Sequence, residues 1–195
     1  MKNVSTTADK TQKIVGMALF AAIVIVLQLV GSFIKFGMFS VSLVLLPIVV
    51  GAAIYGVSAG AWLGFVFAIA VLISGDAAAF LTVSPIGTVI TVVLKGVLAG
   101  FFAGLTYRAL SGVNKILAVF VSAIVCPIIN TGVFLMGCSV FFMELISEWA
   151  VGLGFGTDVV RYMFIGLAGG NFLFEMLFNI VLCPIIVRLI TFKKA

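Results

Sequence analysis

The chain has 195 residues, 64% of them hydrophobic and 9% charged, where an average soluble domain carries roughly 25% charge. Such a composition belongs in a bilayer, and at about 20 residues per crossing it supplies five to seven transmembrane helices with little chain left for a second, soluble domain. The net charge of +5 comes from basic residues at the ends of apolar runs, not from a nucleic-acid patch, and the absence of His excludes His-dependent triads, His-ligated metals and the usual haem sites.

Residues 1–12 form a polar, basic tail. The first span is expected over 13–33, longer than a signal-peptide core and without a small-x-small cleavage site, so it is read as retained. It ends in Gly31-Ser32-Phe33-Ile34-Lys35-Phe36-Gly37, a loop with one charge. From Phe36 to Gly75 no residue is charged, and one helix of that length would reach about 60 Å, twice the hydrocarbon core. The segment must turn, and Tyr55-Gly56-Val57-Ser58-Ala59-Gly60 is the place. Spans are therefore expected over 41–55, carrying Pro47, and over 57–74. Gly75-Asp76 through Ser84-Pro85 is the next break. A fourth span follows over 86–110, and Ser111-Gly112-Val113-Asn114-Lys115 turns the chain into a fifth over 116–137. The segment around Glu144, Glu148 and Asp158, with Gly152, Gly154 and Gly156, is expected to be exposed. A sixth span covers 162–190. The fold class expected is an all-α integral membrane protein, one domain over 1–195, built as a six-transmembrane-helix bundle.

Alternating six spans puts Lys2, Lys10, Lys13, Arg108, Lys115, Arg188, Lys193 and Lys194 on one side, and Lys35 and Arg161 on the other. By the positive-inside rule the first side is cytoplasmic. Both termini are then expected inside, and Glu144–Asp158 outside.

Ionisable residues at membrane depth are costly and mark functional sites by default. Lys95, about ten residues into the fourth span, and Glu175, well inside the sixth, are the two that qualify. Asn171, Glu175 and Asn179 recur at four-residue spacing and form one polar stripe. Asn130 and Thr131 on the fifth span and Gln28 on the first add uncharged polar groups. Two readings stay open: a ligand cavity, or interhelical hydrogen bonds together with a Lys95–Glu175 pair. Small residues at helix-packing spacing appear as Gly60 and Gly64, as Gly96, Gly100 and Gly104, and as Ala18 and Ala22 with Gly16 and Ala21 nearby. Cys126, Cys138 and Cys183 lack metal-ligand spacing and read as small buried residues, and no metal site or cofactor is expected. The run from Gly152 to Thr157 has no Walker Lys, so nucleotide binding is not expected here.

The chain resembles the substrate-binding S components of energy-coupling factor (ECF) transporters, in particular the folate, pantothenate and riboflavin branches. The resemblance rests on six spans in under 200 residues, the Ala18-x-x-x-Ala22 pattern, the run from Leu46-Pro47 through Trp62-Leu63-Gly64, and Lys95-Gly96-Val97-Leu98-Ala99-Gly100. It implies a subunit of the bacterial cytoplasmic membrane that is not an enzyme. Such a subunit binds a water-soluble vitamin from outside and joins a membrane coupling (T) subunit and two cytoplasmic ATPase subunits. Carried onto this chain, it assigns substrate binding to Lys95, Asn130, Asn171 and Glu175, a lid to residues 32–40 and a partner interface to Ala18 and Ala22. A buried Lys favours a ligand with a carboxylate, pantothenate first, then folate; riboflavin, a pyridoxine form and a queuosine precursor stay open. The rival reading is a small self-sufficient secondary transporter or channel acting as an oligomer. That reading calls for internal repeats, and none is evident.

Overall fold

A computed structural model describes the backbone of residues 7–33, 35–36, 39–40 and 42–194, and the side chains of 10–33 and 42–183. Its elements are α1 (Thr7–Gly31), a short hairpin of β1 (Lys35–Phe36) and β2 (Phe39–Ser40), α2 (Leu45–Tyr55), α3 (Val57–Ser74), α4 (Ala78–Val83), α5 (Pro85–Leu110), α6 (Lys115–Phe141), α7 (Met143–Gly152), α8 (Val159–Arg161), a π-helical turn (Tyr162–Leu167) and α9 (Gly169–Lys194). Five stretches among the described residues are long and apolar enough to cross a bilayer: Lys10–Gly31, Val57–Ser74, Pro85–Leu110, Lys115–Phe141 and Val159–Cys183. The protein is a helical membrane protein.

The second expected span is the exception. In place of 41–55, α2 has 11 residues and rises about 16 Å, half of a hydrocarbon core. Pro47 explains the late start. Proline lacks an N–H and collides with the carbonyl four residues back, so it is tolerated in the first turn and not deeper. A helix from 41 would place it in the interior, whereas a start at Leu45 keeps it in the first turn, and Ile48 N–H donates to the Val44 carbonyl as an early i→i−4 bond at 3.3 Å. At the other end Gly56 closes α2 and opens α3 with φ +100°, a conformation available to glycine and few other residues. That single residue makes the turn.

The small residues expected to pack helices join α3 to α5. A Cβ on Gly60 would collide with the Gly100 carbonyl, and one on Gly64 with the Gly96 carbonyl; the reverse substitutions meet the same backbones. The two helices therefore run antiparallel at backbone contact, with Gly60 level with Gly100 and Gly64 with Gly96. In lipid, where apolar burial gives no net drive, this close approach is what holds helices together. On α1, Gly16 and Ala21 turn inward: Gly16 lies against Tyr55, and Ala21 packs on the central core of Val24, Ile48, Leu63 and Phe67. Ala18 and Ala22 are exposed on the opposite face.

Two further clusters mark the bundle's ends. Val50, Ala53, Tyr107, Ala118, Val119 and Cys183 pack together with Phe20 against them, so the end of α2, the end of α5, the start of α6 and the last turns of α9 share one end with the first half of α1. At the other end Phe80, Cys138, Phe142, Ile146, Ala150, Tyr162, Met163 and Leu167 form a cap. The segment expected to be simply exposed is thus only partly so. Glu144, Glu148 and Asp158 are exposed, but Ile146 and Ala150, four apart on α7, are fully buried. This amphipathic helix, ten residues long and carrying two acids, is too short and too polar to register as a span in the sequence. The expected 75–85 break likewise contains α4, and the last span enters through the π-helical turn before α9 begins at Gly169.

Candidate functional site

Because α2 covers only half the bundle's height, room is left between α1, α3, α5, α6 and α9 at the capped end. A pocket enclosing about 660 Å³, open mouth included, occupies it. Lys95 on α5, Asn130 and Thr131 on α6, Asn171 and Glu175 on α9, and Gln28 on α1 all line it. All six stand out separately along the chain, and the fold brings them to one cavity.

Depth can be read from the pairing of helices. Lys95 neighbours Gly96, which is level with Gly64, and its Nζ lies 5.6 Å from the ring centre of Phe67 and 5.3 Å from that of Phe134. Both distances suit attraction of an ammonium to an aromatic face. Among the described residues no ion pair joins Lys95 to Glu175, although both line the pocket. Glu175 is instead held by the chain entering α2: its Oε1 accepts from the Ser42 backbone N–H at 3.0 Å. The short α2 thus serves twice, vacating space and presenting a donor to the pocket's carboxylate.

In the sequence Asp76 reads only as part of a break. It lines the pocket, where its Oδ2 accepts from Gln28 Nε2 at 2.6 Å and from Ser74 Oγ at 3.1 Å. The signal was present in the sequence, since Asp76 is the only acidic residue between Asp9 and Glu144. Phe80, Phe134 and Phe172 also line the pocket and carried no distinguishing signal among 19 phenylalanines. Phe80 meets Phe134, Phe142 and Trp149 edge-on, with ring centres 4.8 to 5.7 Å apart, so the cap forms an aromatic roof. Leu167, Ala168 and Asn171 reach the pocket where the π-helical turn hands over to α9, and such widened turns recur at functional sites.

The α9 stripe is divided in its use. Asn171 and Glu175 face the pocket, but Asn179 Nδ2 donates to the Ala123 carbonyl at 3.3 Å. Pro127 lies inside α6 and cannot donate to that carbonyl four residues back. Asn179 supplies the missing donor and is a packing residue.

Three pocket acceptors have no hydrogen-bond partner: Gln28 Oε1, Asn130 Oδ1 and Asn171 Oδ1, all buried. Buried polar groups are nearly always paired. Unpaired amide oxygens, one ammonium and two carboxylates line the cavity, groups able to pair with the polar groups of a guest.

A family model described as the substrate-specific component of ECF transporters matches residues 12–187. The chain belongs to this family. As an S component it is the substrate-specific part of an ECF transporter. No curated protein and no solved structure matches the chain. The expected lid at 32–40 falls largely outside the described side chains; its backbone includes the antiparallel pairs Lys35 with Ser40 and Phe36 with Phe39. Ala18 and Ala22 lie away from the pocket. Cys126, Cys138 and Cys183 are buried and unpaired.

Proposed function

We propose that this S component binds a water-soluble vitamin with high affinity from outside a bacterial cytoplasmic membrane, and hands it to a transporter completed by a membrane T subunit and two cytoplasmic ATPases. The observation that carries this reading is the convergence of Lys95, Asn130, Asn171 and Glu175, from three helices, on one pocket. These four are the proposed substrate contacts. Lys95 shares the pocket with Glu175 and Asp76 but makes no close ion pair among the described residues, and an ammonium held away from water is stabilised by an anion brought against it. A carboxylated vitamin such as pantothenate therefore fits best, ahead of folate and riboflavin.

The basic residues at the α1 and α9 end, opposite the pocket, support a cytoplasmic position for that end by the positive-inside rule. The pocket then opens outward, as an importer requires, and the bundle makes six passes with α2 as a half-length one. Ala18 and Ala22, exposed on α1, are proposed as the T-subunit interface. The test is to purify the chain from cells grown in rich medium, identify carried-through ligand by mass spectrometry, and ask whether ATPase subunits co-purify. A stable oligomer of this chain alone that moves substrate without ATP would establish the secondary-transporter alternative instead.

A further inference from the structure

A second hollow lies at the other end of the bundle, where Gly56 turns α2 into α3. A groove of about 1180 Å³, its open side included, is walled there by Tyr55, Ser58, Phe101, Tyr107, Arg108 and Ser111. A Cβ on Gly104 would sit 2.8 Å from the Val57 Cα, so this face of α5 lies directly against the start of α3. Arg108, four residues on, follows on the same face one turn further out and is exposed. It makes no ion pair among the described residues. The described carboxylates, Asp76, Glu144, Glu148, Asp158 and Glu175, stand at the pocket or around the cap, in the opposite half of the bundle. α3 has 18 residues, a rise of about 27 Å that nearly spans a hydrocarbon core of roughly 30 Å. Its first turn, and the groove with it, therefore sits at headgroup depth.

We propose that this groove holds an anionic phospholipid, its phosphate on the Arg108 guanidinium and its acyl chains along the outer wall of α3 and α5. A guanidinium presents paired N–H donors that match phosphate oxygens, and the hydroxyls of Ser58 and Ser111 in the same groove can donate to the oxygens that remain. From Ser58 an exposed stripe of Trp62, Phe65 and Ile69 climbs α3 at three- and four-residue spacing. Phe101, also exposed, covers the neighbouring surface of α5, since Gly60 is level with Gly100. The polar floor thus runs without a break into an apolar wall, which suits a lipid and gives a soluble phosphate nothing. Charge selects an anionic head over a zwitterionic one. Lys13 lies one turn before Gly16, which packs on Tyr55, and Lys115 opens α6 at the same end. A choline or ethanolamine head would bring its own cation among these. The leaflet is the cytoplasmic one under the topology proposed above, and basic pockets between helices on that side are where anionic headgroups bind.

Native mass spectrometry of the purified full-length chain in detergent, titrated with dioleoylphosphatidylglycerol or dioleoylphosphatidylcholine, tests the site. Wild type should bind the phosphatidylglycerol at least about fivefold more tightly than the phosphatidylcholine. Arg108→Gln should abolish that preference, whereas Lys115→Gln, which removes one charge at the same end but outside the groove, should keep it. Ser58→Phe, at an exposed position, should fill the groove and remove binding with every charge in place; thermal melting in detergent checks that the variants stay folded. Absence of a preference in wild type would overturn the proposal, and equal loss in Arg108→Gln and Lys115→Gln would reduce it to diffuse surface charge. Glycerol phosphate and inorganic phosphate serve as competitors. Displacement of the lipid by either at matching concentration would make the groove a site for a soluble anion instead. Unchanged lipid binding in Ser58→Phe, together with lost co-purification of a T subunit, would assign the groove to that partner. Lipid binding in detergent depends neither on the protein's orientation nor on its vitamin, so failure here leaves both of those readings untouched.

Discussion

Lys95 and Asn179 show how residues of the same polarity, at similar depth in the bundle, come to do different work. Lys95 lies beside two aromatic rings and, among the described residues, makes no close ion pair, so a ligand's carboxylate can approach its charge. Lys95→Ala should weaken a carboxylated vitamin by about 2 kcal/mol or more, since the substrate's carboxylate would then be desolvated without a partner. Glu175→Ala should also weaken binding, because it frees the Ser42 N–H at the pocket wall. Calorimetry on both variants checks this, and unchanged affinity in both would reduce the pair to packing residues. Asn179 already has its partner, the carbonyl that Pro127 releases. Asn179→Leu should therefore destabilise the protein by about 1–3 kcal/mol, the cost of a buried unsatisfied carbonyl. Ligand affinity measured below the melting transition should stay within a few-fold of wild type. A large loss of affinity with no change in thermal stability would place Asn179 in the site after all.

At the scale of elements, α1 has two faces with separate uses. Gly16, Ala21, Val24 and Gln28 face the bundle, and Gln28 reaches the pocket. Val15, Ala18, Leu19, Ala22 and Val26 face outward. Small residues among bulky ones on an outward face allow another helix to approach closely in lipid. Ala22→Leu should leave vitamin affinity of the isolated protein unchanged and abolish uptake in cells that express the coupling subunits, since added bulk is tolerated by lipid and not by a close-packed helix. Loss of affinity as well as uptake would assign this face to the bundle interior. The short α2 is the element with the largest consequence. Its half-length, set by Pro47 in the first turn, creates the volume that every pocket residue surrounds.

Over the whole molecule, the two ends differ in chemistry. One gathers the start of α1, the end of α5 with Arg108, the start of α6 with Lys115 and the end of α9; the other carries α7, the aromatic roof and the exposed Glu144, Glu148 and Asp158. Under the proposed topology the charge bias turns the first end inward. In a variant with Cys126, Cys138 and Cys183 replaced by Ala, a cysteine at Thr157, which is exposed, should react with an impermeant maleimide in intact cells. A cysteine at Gly112, in the exposed α5–α6 turn, should react only after permeabilisation. The reverse pattern would invert the protein in the membrane.

Class, family and most helix positions were legible in the sequence, because each depends on local quantities: apolar run length, glycine and proline punctuation, and charge at helix ends. α5, expected over 86–110, runs Pro85–Leu110, and α3 matches its expected 57–74. Lys95, Asn130, Asn171 and Glu175 were visible because a polar group at membrane depth is conspicuous against apolar neighbours. What only the tertiary structure decided was which of these groups meet. Asn179 leaves the stripe because a carbonyl on another helix needs it, and Asp76 joins the pocket because α1 brings Gln28 to the end of α3. Those pairings join residues 48 to 56 positions apart, and no local periodicity encodes a partner at that distance; it is set by helix packing alone.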